Sequence, residues 1–375
     1  MMNENYEKEF NLNQEMIHVN HAAIAPWPVR TQQAVSDFAS ENTHQGSLNY
    51  MQWLEQESKL REQLRRLINA DSTDEIALLK STSEALSVVA YGIDWQAGDS
   101  IVTSAEEFPS NRLLWESLSK FGIEVRIVEY AADEDAELSL INATDKTTRL
   151  ISVSAVQFAS GRKMDLKRIG QHCEDNNILF CVDAIQQLGA LSFDIKEIKA
   201  DFVAADGHKW MLGAEGLALF YCNRKHLKSL KLNQYGWHMI ENPHDFSSTE
   251  WLPANTARRF ECGSPNMIGI MALQASLSLI FEIGINTIEE QILDNTEYLI
   301  EQLSKQADIQ ILSPQKVSQR SGIVVFKHAK IPVDELFEKL TSNNVFCAMR
   351  GGGIRLSPHF YTAREKLQQL IKLIK

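Results

Sequence analysis

The sequence predicts an α/β protein with a large domain on a mainly parallel sheet and a smaller α+β domain. Apolar segments of strand length alternate with helical segments from residue 76 to 222, which is typical of a parallel sheet. The pattern changes from residue 284, where a long amphipathic helix precedes short strands. A chain of 375 residues also exceeds what one core usually holds. We therefore predict a large domain, residues 16–283, and a small domain, residues 284–375, which the N-terminal segment 1–15 joins.

Composition restricts the classes of function. The net charge of −12 argues against a nucleic-acid partner and leaves no basic patch for anionic membranes. No run of eighteen apolar residues is present, and the N-terminus is polar and acidic, so we expect neither a membrane span nor a signal peptide. The five cysteines are scattered without metal-site spacing, which indicates reduced thiols, a cytoplasmic protein and no bound metal.

The N-terminal part predicts two helices after a short extended segment. Ile17 to Asn20 is extended, and the small-residue stretch at His21 and Ala22 either leaves room for a ligand or is a plain loop. A helix follows Pro28 and ends near Asn42. A second helix spans roughly 51–69, with apolar residues at helical spacing.

A candidate anion site follows the first strand of the sheet. Strand Ile76–Leu79 runs into a helix start where Ser81 and Glu84 have capping-box spacing. Free N–H groups and the helix dipole would attract a phosphate there, although a plain helix cap is equally open. The next strand, 101–104, leads through a loop with Phe108 to a helix over 111–120. Phe108 lies at the ligand edge of such a sheet and either stacks on a ring or only packs.

The central strands bring further polar residues to the same edge. Predicted strands cover 125–129, 149–155 and 178–182, and a helix covers Leu166–Asn176. Gln157 lies in the loop after the second of these strands and is a candidate cofactor contact. Asp183 comes at the end of the third of these strands. It is either a buried carboxylate or the cap of a helix, and Gln186 follows three residues later.

Lys209 is the candidate reactive group. It follows the strand 200–205 in the stretch Asp206-Gly207-His208-Lys209, before a second apolar run over 217–221. A loop lysine is usually a solvated cation, but Trp210 and its neighbours would make an unpaired ammonium costly. Burial lowers the pKa of an amine, and a neutral amine forms a Schiff base with an aldehyde. Pyridoxal phosphate (PLP) is the aldehyde we consider first.

The C-terminal part predicts the second domain. After an irregular region, 237–257, the stretch Arg259–Asn266 opens a helix that ends near Glu282. Thr287 and Glu290 have capping-box spacing and predict the start of the next helix. Strands over 322–326, 345–349 and 354–356 and helices over 333–342 and 362–375 complete the chain.

These motifs, in this order, resemble the class V aminotransferases, which are PLP enzymes of fold type I. The resemblance runs from Asn20 to Arg355 and is greatest to the branch of cysteine desulfurases, selenocysteine lyases and isopenicillin N epimerase-like proteins. It implies a mainly parallel, mixed seven-stranded sheet and a homodimer. In the family's pattern Lys209 would carry PLP as a Schiff base, Asp183 would pair with the pyridine nitrogen, and Arg355 would bind the substrate carboxylate.

The resemblance also assigns supporting residues. The cofactor contacts it implies are Gln186, Thr82, Ser83, Glu84, Phe108, His208 and Gln157, and the substrate contacts are His21 and Ala22. Ser83 would bind the phosphate, and Ser264 would reach the phosphate held by the neighbouring subunit.

Three positions depart from the family's pattern. Asp206 replaces a phosphate-binding serine, so we expect its carboxylate to turn away or to pair with a cation. Phe108 replaces a ring-stacking histidine and cannot carry protons. Only Gly351, Gly352, Gly353 and Ile354 separate Arg350 from Arg355, where desulfurases carry a loop with a catalytic cysteine. Cys347 is the nearest thiol and lies in an apolar strand.

We therefore expect a PLP-dependent enzyme that acts on an amino acid or amine, with amino-group transfer as the first choice. A carbon–sulfur or other β-lyase, or an epimerase, is the alternative, and a cysteine desulfurase is less favoured. A PLP-binding protein without turnover is the non-enzyme alternative. A nucleotide-binding protein is disfavoured because the sequence has neither GxGxxG nor a Walker loop.

Overall fold

The computed structural model describes residues 6, 8–131, 133–243, 245, 247 and 251–374. Its strands are β1 (Ile17–His18), β2 (Ile76–Leu79), β3 (Ser100–Ser104), β4 (Glu124–Val128), β5 (Thr148–Ser154), β6 (Leu179–Asp183), β7 (Phe202–Asp206), β8 (Ala218–Cys222), β9 (Ile309–Ile311), β10 (Val324–His328), β11 (Val345–Phe346), β12 (Ala348–Arg350) and β13 (Gly353–Leu356). Most were predicted to within two residues, but no pattern had predicted β9.

Most of the helices lie between these strands in the chain, and two pairs of helices follow each other directly. They are α1 (Val29–Gln45), α2 (Tyr50–Leu67), α3 (Thr82–Gly92), α4 (Pro109–Glu116), α5 (Ala136–Asn142), α6 (Leu166–Asn176), α7 (Ile195–Ile198), α8 (Met267–Ile283), α9 (Ile285–Ser304), α10 (Val333–Ser342) and α11 (Arg364–Ile374). Lys375, the predicted end of the last helix, lies outside the described residues.

The large sheet places the carboxyl ends of six strands on one edge. Its order is β2-β8-β7-β6-β5-β3-β4, and β8 runs antiparallel to both of its neighbours while all other pairs are parallel. The carboxyl ends of β2, β3, β4, β5, β6 and β7 therefore share an edge, which is where ligands bind in open α/β sheets. Both faces are covered by helices, as the near-continuous burial of these strands requires. The predicted seven-stranded, mainly parallel sheet is confirmed.

A second sheet, antiparallel and in the order β12-β13-β10-β9, builds the C-terminal part. On one of its faces Val324 and Leu356 pack into a core with α9, α10 and α11. Val325 lies on the other face and packs into the core of the large sheet. Arg355 pairs with Val325 in the register of β10 and β13, so it too faces the large sheet.

The first strand, β1, pairs with a strand near the C-terminus, β11. Ile17 and His18 pair in parallel with Val345 and Phe346, and Asn20 bridges to Ser357. The predicted division of the chain at residues 16 and 284 stays a prediction, although β1, which it gave to the large domain, packs in the core of the small sheet.

Three local predictions were wrong. The residues Thr287 and Glu290 do not cap a helix, because α9 begins at Ile285 directly after Gly284, whose φ of 89° bends the chain. The strand predicted over 345–349 is two strands that pair in different sheets. The helix predicted over 111–120 is α4 followed by a 3-10 turn, Ser117–Phe121.

In the described part of the chain no single helix has both the length and the apolar character to span a membrane, and one bent pair, α8 with α9, passes that test only when taken together. The five cysteines form no disulfide.

Candidate active site

The polar residues predicted from the sequence meet at the shared strand edge. Lys209 follows β7, Asp183 ends β6 and Thr82 follows β2. Phe108 follows β3 and Gln157 follows β5. Since parallel strands end together, residues spread over more than a hundred positions lie around one opening.

Lys209 is a buried amine. Burial lowers its pKa from 10.5 to about 8, with a smaller lowering by Arg355, while Asp183 acts to raise it. Its Nζ atom lies 5.7 Å from the centre of the Phe108 ring and forms no hydrogen bond or ion pair within the described residues. A buried amine without a partner and with a lowered pKa is suited to attack a carbonyl carbon.

Asp183 is held by two donors. Its carboxylate accepts hydrogen bonds from Asn111 Nδ2 at 2.8 Å and from the Ile185 N–H at 3.0 Å. Burial raises the pKa of Asp183, and these hydrogen bonds act against that rise. A carboxylate offers about four acceptor positions, so a further donor can be accommodated. The alternative that Asp183 caps a helix is wrong, since no helix begins there.

Gln186 connects the site to the N-terminal segment. Its Nε2 donates to the Ala22 carbonyl at 3.0 Å, and its Oε1 accepts from Trp210 Nε1 at 2.9 Å. One N–H of the amide is left for another acceptor. Ala22 therefore supports Gln186 directly, which relates the small-residue stretch to the site.

The start of α3 offers backbone donors. Ser81 Oγ accepts the Glu84 N–H at 3.2 Å, and the first two amides of the helix, at Thr82 and Ser83, have no intrahelical acceptor. The Glu84 carboxylate accepts the Lys80 N–H at 2.6 Å instead of that of Ser81, so the predicted reciprocal capping box does not form. The Glu84 amide is already used and its side chain is negative, so Glu84 does not favour a bound anion. Ser83 is exposed, and its backbone N–H is free to donate to an anion.

Asp206 lies beside the imidazole of His208 and the start of α3. Its Oδ1 lies 2.8 Å from His208 Nδ1, and its backbone N–H donates to Thr82 Oγ1 at 3.0 Å. The second contact ties the end of β7 to the start of α3. Asp206 and His208 therefore lie beside the amides of that helix.

Phe108 and Arg355 meet at the loop 156–161. The Phe108 ring is 41% exposed and lies edge-to-face with Phe158, with centroids 5.1 Å apart. The Phe158 carbonyl accepts a hydrogen bond from Arg355 Nη1 at 2.8 Å. Arg355 is buried, its Nε has no partner, and burial together with Arg350 lowers its pKa to about 10. No carboxylate pairs with Arg355 in the described part of the chain.

Two buried residues of the site, Glu107 and Asn111, were not predicted from the sequence. Glu107 accepts hydrogen bonds from the Ser154 N–H, the Ser154 hydroxyl and Gln157 Nε2, and burial raises its pKa to about 7. Asn111 holds Asp183. Glu107 follows another acid, Glu106, and only the fold shows which of the two is buried. Gln157 Oε1 is buried without a partner, so this amide can accept a ligand's hydrogen bond.

His21 is part of a buried cluster. Its Nδ1 lies 2.9 Å from the Ser357 carbonyl and its Nε2 lies 2.6 Å from the Tyr361 hydroxyl. Burial, with His18 and His359 nearby, lowers its pKa well below the usual value. Both ring nitrogens are engaged, so a substrate contact through them would require those hydrogen bonds to break.

Ser264 lies on the surface. It lines a cavity of about 430 Å³ together with Lys80, Glu84 and Asn266. This position brings it near the start of α3, but its contact with a second subunit stays a prediction.

The residues fit PLP. An amine without a partner, a carboxylate with spare acceptor positions, free helix N-terminal amides and an exposed ring match the four groups that the cofactor requires. The orphaned Gln157 Oε1 and the spare N–H of Gln186 add an acceptor and a donor at the same opening.

Comparisons with known proteins agree with this fit. The family described as aminotransferase class-V matches residues 17–370. A probable cysteine desulfurase from Methanothermobacter thermautotrophicus is 31% identical over 99% of this chain and 96% of its own. An uncharacterized aminotransferase, YcbU, from Bacillus subtilis is 28% identical over 90% of this chain and 88% of its own.

Two solved structures share the fold. The apo cysteine desulfurase from Thermococcus onnurineus NA1 superposes with a TM-score of 0.90 at 24% identity, over 100% of this chain and 97% of that one. The cystine C–S lyase C-DES, in complex with its product cysteine persulfide, has a TM-score of 0.89 at 22% identity, over 96% and 98%. The match of the family over nearly the whole chain, joined to the geometry of the site, shows that this protein belongs to the class V aminotransferase family of PLP-dependent, fold type I enzymes.

Proposed function

We propose that the protein transfers the amino group of an amino acid or amine, with Lys209 moving the proton at the substrate's Cα. The observation that carries the proposal is the buried, unpaired amine with a pKa of about 8, beside a carboxylate and facing a ring. At neutral pH and above, such an amine exists in both protonation states. A group that removes a proton from one atom and delivers it to another requires both of these states.

Each neighbouring residue has a distinct task. When bound, PLP supplies an electron sink for the pair left at Cα. Asp183 pairs with the protonated pyridine nitrogen, and Asn111 holds its carboxylate in place. Arg355 binds the substrate carboxylate through its free edge and so orients the Cα–H bond toward Lys209. Phe108 covers the ring face and excludes water.

Amino-group transfer requires little else from the protein. The base that removes the proton from Cα would deliver it on the same side to the carbon derived from the cofactor's aldehyde, so one base would suffice. Epimerisation would require a second base on the opposite face, where the side chain that faces Lys209 is Phe108, which carries no titratable group. This observation favours transfer over epimerisation.

Cleavage of a carbon–sulfur bond at Cβ is the second candidate. The names of relatives that cover nearly the whole chain, which are probable cysteine desulfurases, favour it. We propose that such cleavage would proceed by elimination and without a protein persulfide. Cys347 is buried, and burial raises its pKa to about 12, so little thiolate exists at neutral pH. The turn between Arg350 and Arg355 carries only glycines and one isoleucine.

A panel of amino acids tests the proposal. The purified PLP-loaded protein is mixed with each amino acid, the cofactor absorption is followed, and products are identified by mass spectrometry. We expect the corresponding 2-oxo acid, with the amino group retained by the cofactor until a second 2-oxo acid is added. Pyruvate and ammonia released without an acceptor would support the lyase instead, and a persulfide on Cys347 that is absent in Cys347→Ser would overturn both.

Lys209→Ala is the matching control for the chemistry. Borohydride fixes PLP covalently to the wild-type protein at Lys209, and we expect no covalent product in the variant. Lys120→Ala removes another lysine whose ammonium lies over aromatic rings, at 5.0 Å from Phe121, and should leave the product unchanged. A covalent product in Lys209→Ala at the wild-type yield would show that the assignment of Lys209 is incorrect.

A further inference from the structure

Arg350 lies on the same face of the small sheet as Arg355. In the antiparallel pair of β12 and β13, Ala348 is opposite Arg355 and Arg350 is opposite Gly353. Side chains two residues apart on a strand share a face, so Arg350 and Arg355 are diagonal neighbours, with Cα atoms roughly 7–8 Å apart. Their charges interact, since Arg350 contributes to the lowered pKa of Arg355.

The turn beside Arg350 is docked at the active site. A Cβ atom on Gly351 would lie 2.6 Å from the Ala159 carbonyl oxygen, so the turn touches the loop 156–161. That loop also supplies the Phe158 carbonyl that holds Arg355 and the Phe158 ring that packs on Phe108. Arg350 therefore lies at the mouth of the opening that contains Lys209.

Arg355 by itself can bind only one carboxylate. Its Nη1 is used by Phe158, and its buried Nε has no partner. The Nε–Nη2 edge is thus free, and one such edge binds one carboxylate through two parallel hydrogen bonds. Arg350 is exposed, and its Nη1 donates a hydrogen bond to the neighbouring Met349 carbonyl. Its own second edge has no anion among the described residues, in a chain whose net charge is −12.

We infer that Arg350 binds a second carboxylate, so that the preferred substrates are α-amino acids with an acidic side chain, such as aspartate or glutamate. The inference rests on the proposed function and deepens it. The α-carboxylate lies on Arg355, and the side-chain carboxylate reaches Arg350. Arg350 is a specificity-determining residue, and it takes no part in moving the proton.

Binding of inert acids tests the inference apart from the reaction. Succinate and butyrate have similar length and no amine, so neither reacts with PLP. Calorimetric titration of the PLP-loaded protein should show that succinate binds more tightly than butyrate. A charge-assisted hydrogen bond typically contributes 1.5–3 kcal/mol, so Arg350→Gln should weaken succinate binding by roughly tenfold to a hundredfold. Butyrate binding should change less than about twofold.

The same variant is then tested with amino acids. We expect Arg350→Gln to raise the half-saturating concentration of aspartate and glutamate, but not of asparagine, glutamine or alanine, and Arg350→Lys to restore part of the affinity. Arg224→Gln is the matched control, because Arg224 is an exposed arginine at the opposite end of the large sheet, paired with Asp74. It should behave as wild type.

The outcomes separate the two proposals. If Arg350→Gln weakens butyrate and alanine as much as succinate and aspartate, both arginines bind one carboxylate and the inference is overturned. The same holds if succinate binds no better than butyrate to the wild-type protein. If no amino acid perturbs the cofactor while succinate still depends on Arg350, the proposed amino-group chemistry fails and the dicarboxylate site remains.

Discussion

We predict that Lys209 sets the pH range in which the protein captures PLP. Burial lowers the pKa of Lys209 to about 8, and only the neutral amine attacks an aldehyde. As pH rises through 8, the neutral fraction increases, so capture of PLP by the cofactor-free protein should accelerate and then level off. An ordinary lysine would show this rise near pH 10.4.

Stopped-flow mixing of the cofactor-free protein with PLP at a series of pH values measures the midpoint. Asp183→Asn should move the midpoint to lower pH, because the carboxylate acts to raise the pKa of Lys209. A midpoint near 10 in the wild-type protein would contradict the burial argument.

The sequence carries much of this information at residue scale, but not all. Lys209 and Asp183 could be predicted because Asp183 ends one buried strand and Lys209 lies in the loop just after the next, and parallel strands end at one edge. Glu107 and Asn111 could not, since an acid in a loop and an amide in the first turn of a helix look the same in the sequence whether solvated or buried. The engagement of His21 with Tyr361 depends on a contact between residues 340 positions apart.

At the scale of elements, the turn between β12 and β13 offers a matched pair of glycines. Gly351 and Gly352 have φ values of 60° and 76°, so alanine at either position costs about 1–2 kcal/mol of conformational strain. Only Gly351 has a close neighbour, the Ala159 carbonyl oxygen, while a Cβ on Gly352 would meet nothing within 4 Å.

Gly351→Ala should therefore displace the turn, destabilise the protein more than Gly352→Ala and weaken carboxylate binding. Thermal unfolding and calorimetric titration with succinate measure the two effects. Equal behaviour of the two variants would show that the contact with Ala159 has no role in positioning the arginines.

A buried charge cluster joins Glu57 and Arg61 of helix α2 to His238 and Glu261. Arg61 donates to both oxygens of Glu261, at 2.6 and 2.7 Å, and to Glu57 at 2.5 Å. Glu261 also accepts the Leu78 N–H at 2.8 Å, which fixes β2 just before the start of α3. Glu57, His238 and Glu261 lie close enough for a metal, but Arg61 already donates hydrogen bonds to both carboxylates.

Arg61→Met should leave two buried carboxylates unpaired and lower the free energy of unfolding by about 3–5 kcal/mol. The exposed pair of Arg168 and Asp135 provides the control, since Arg168→Met should cost about 1 kcal/mol or less. Chemical denaturation measures both. A small effect of Arg61→Met would contradict the view that Arg61 holds two buried carboxylates.

Element predictions failed where chain geometry competes with sequence pattern. Thr287 and Glu290 have the spacing of a capping box, yet Gly284 allows α9 to restart only two residues after α8 ends. The apolar stretch 345–349 looks like one strand, but its two halves pair with partners in different sheets. Pairing is a long-range property, and a local pattern does not contain it.

On the scale of the whole molecule, we predict a homodimer in which Ser264 reaches the partner's PLP phosphate. Tyr235, Trp251 and Leu252 are exposed near this segment, and the rings of the first two lie 5.9 Å apart. Gln234, next to Tyr235, contacts Cys262, two residues before Ser264. Exposed apolar side chains grouped in this way are typical of an interface.

Sedimentation velocity should give twice the 42.5 kDa mass of one chain. Leu252→Glu should favour the monomer and release PLP, whereas Val317→Glu, at an equally exposed apolar position, should not. Ser264→Ala should keep the dimer but weaken PLP retention by roughly tenfold, as the loss of one hydrogen bond to a charged group implies. A monomer that retains all its PLP would contradict the interface.

The pairing of β1 with β11 also sets an order of events during synthesis. Domains usually fold from the N-terminus as the chain leaves the ribosome, but residues 17–18 must wait for residues 345–346. Ala22, which holds Gln186 at the site, is anchored to Ser357 and therefore waits as well. The large sheet can assemble on the nascent chain, whereas the pocket becomes complete only after the last strands have emerged. A chain interrupted shortly before residue 345 would thus contain every strand of the large sheet, with Lys209 and Asp183 in place, and still lack the C-terminal wall of the candidate active site.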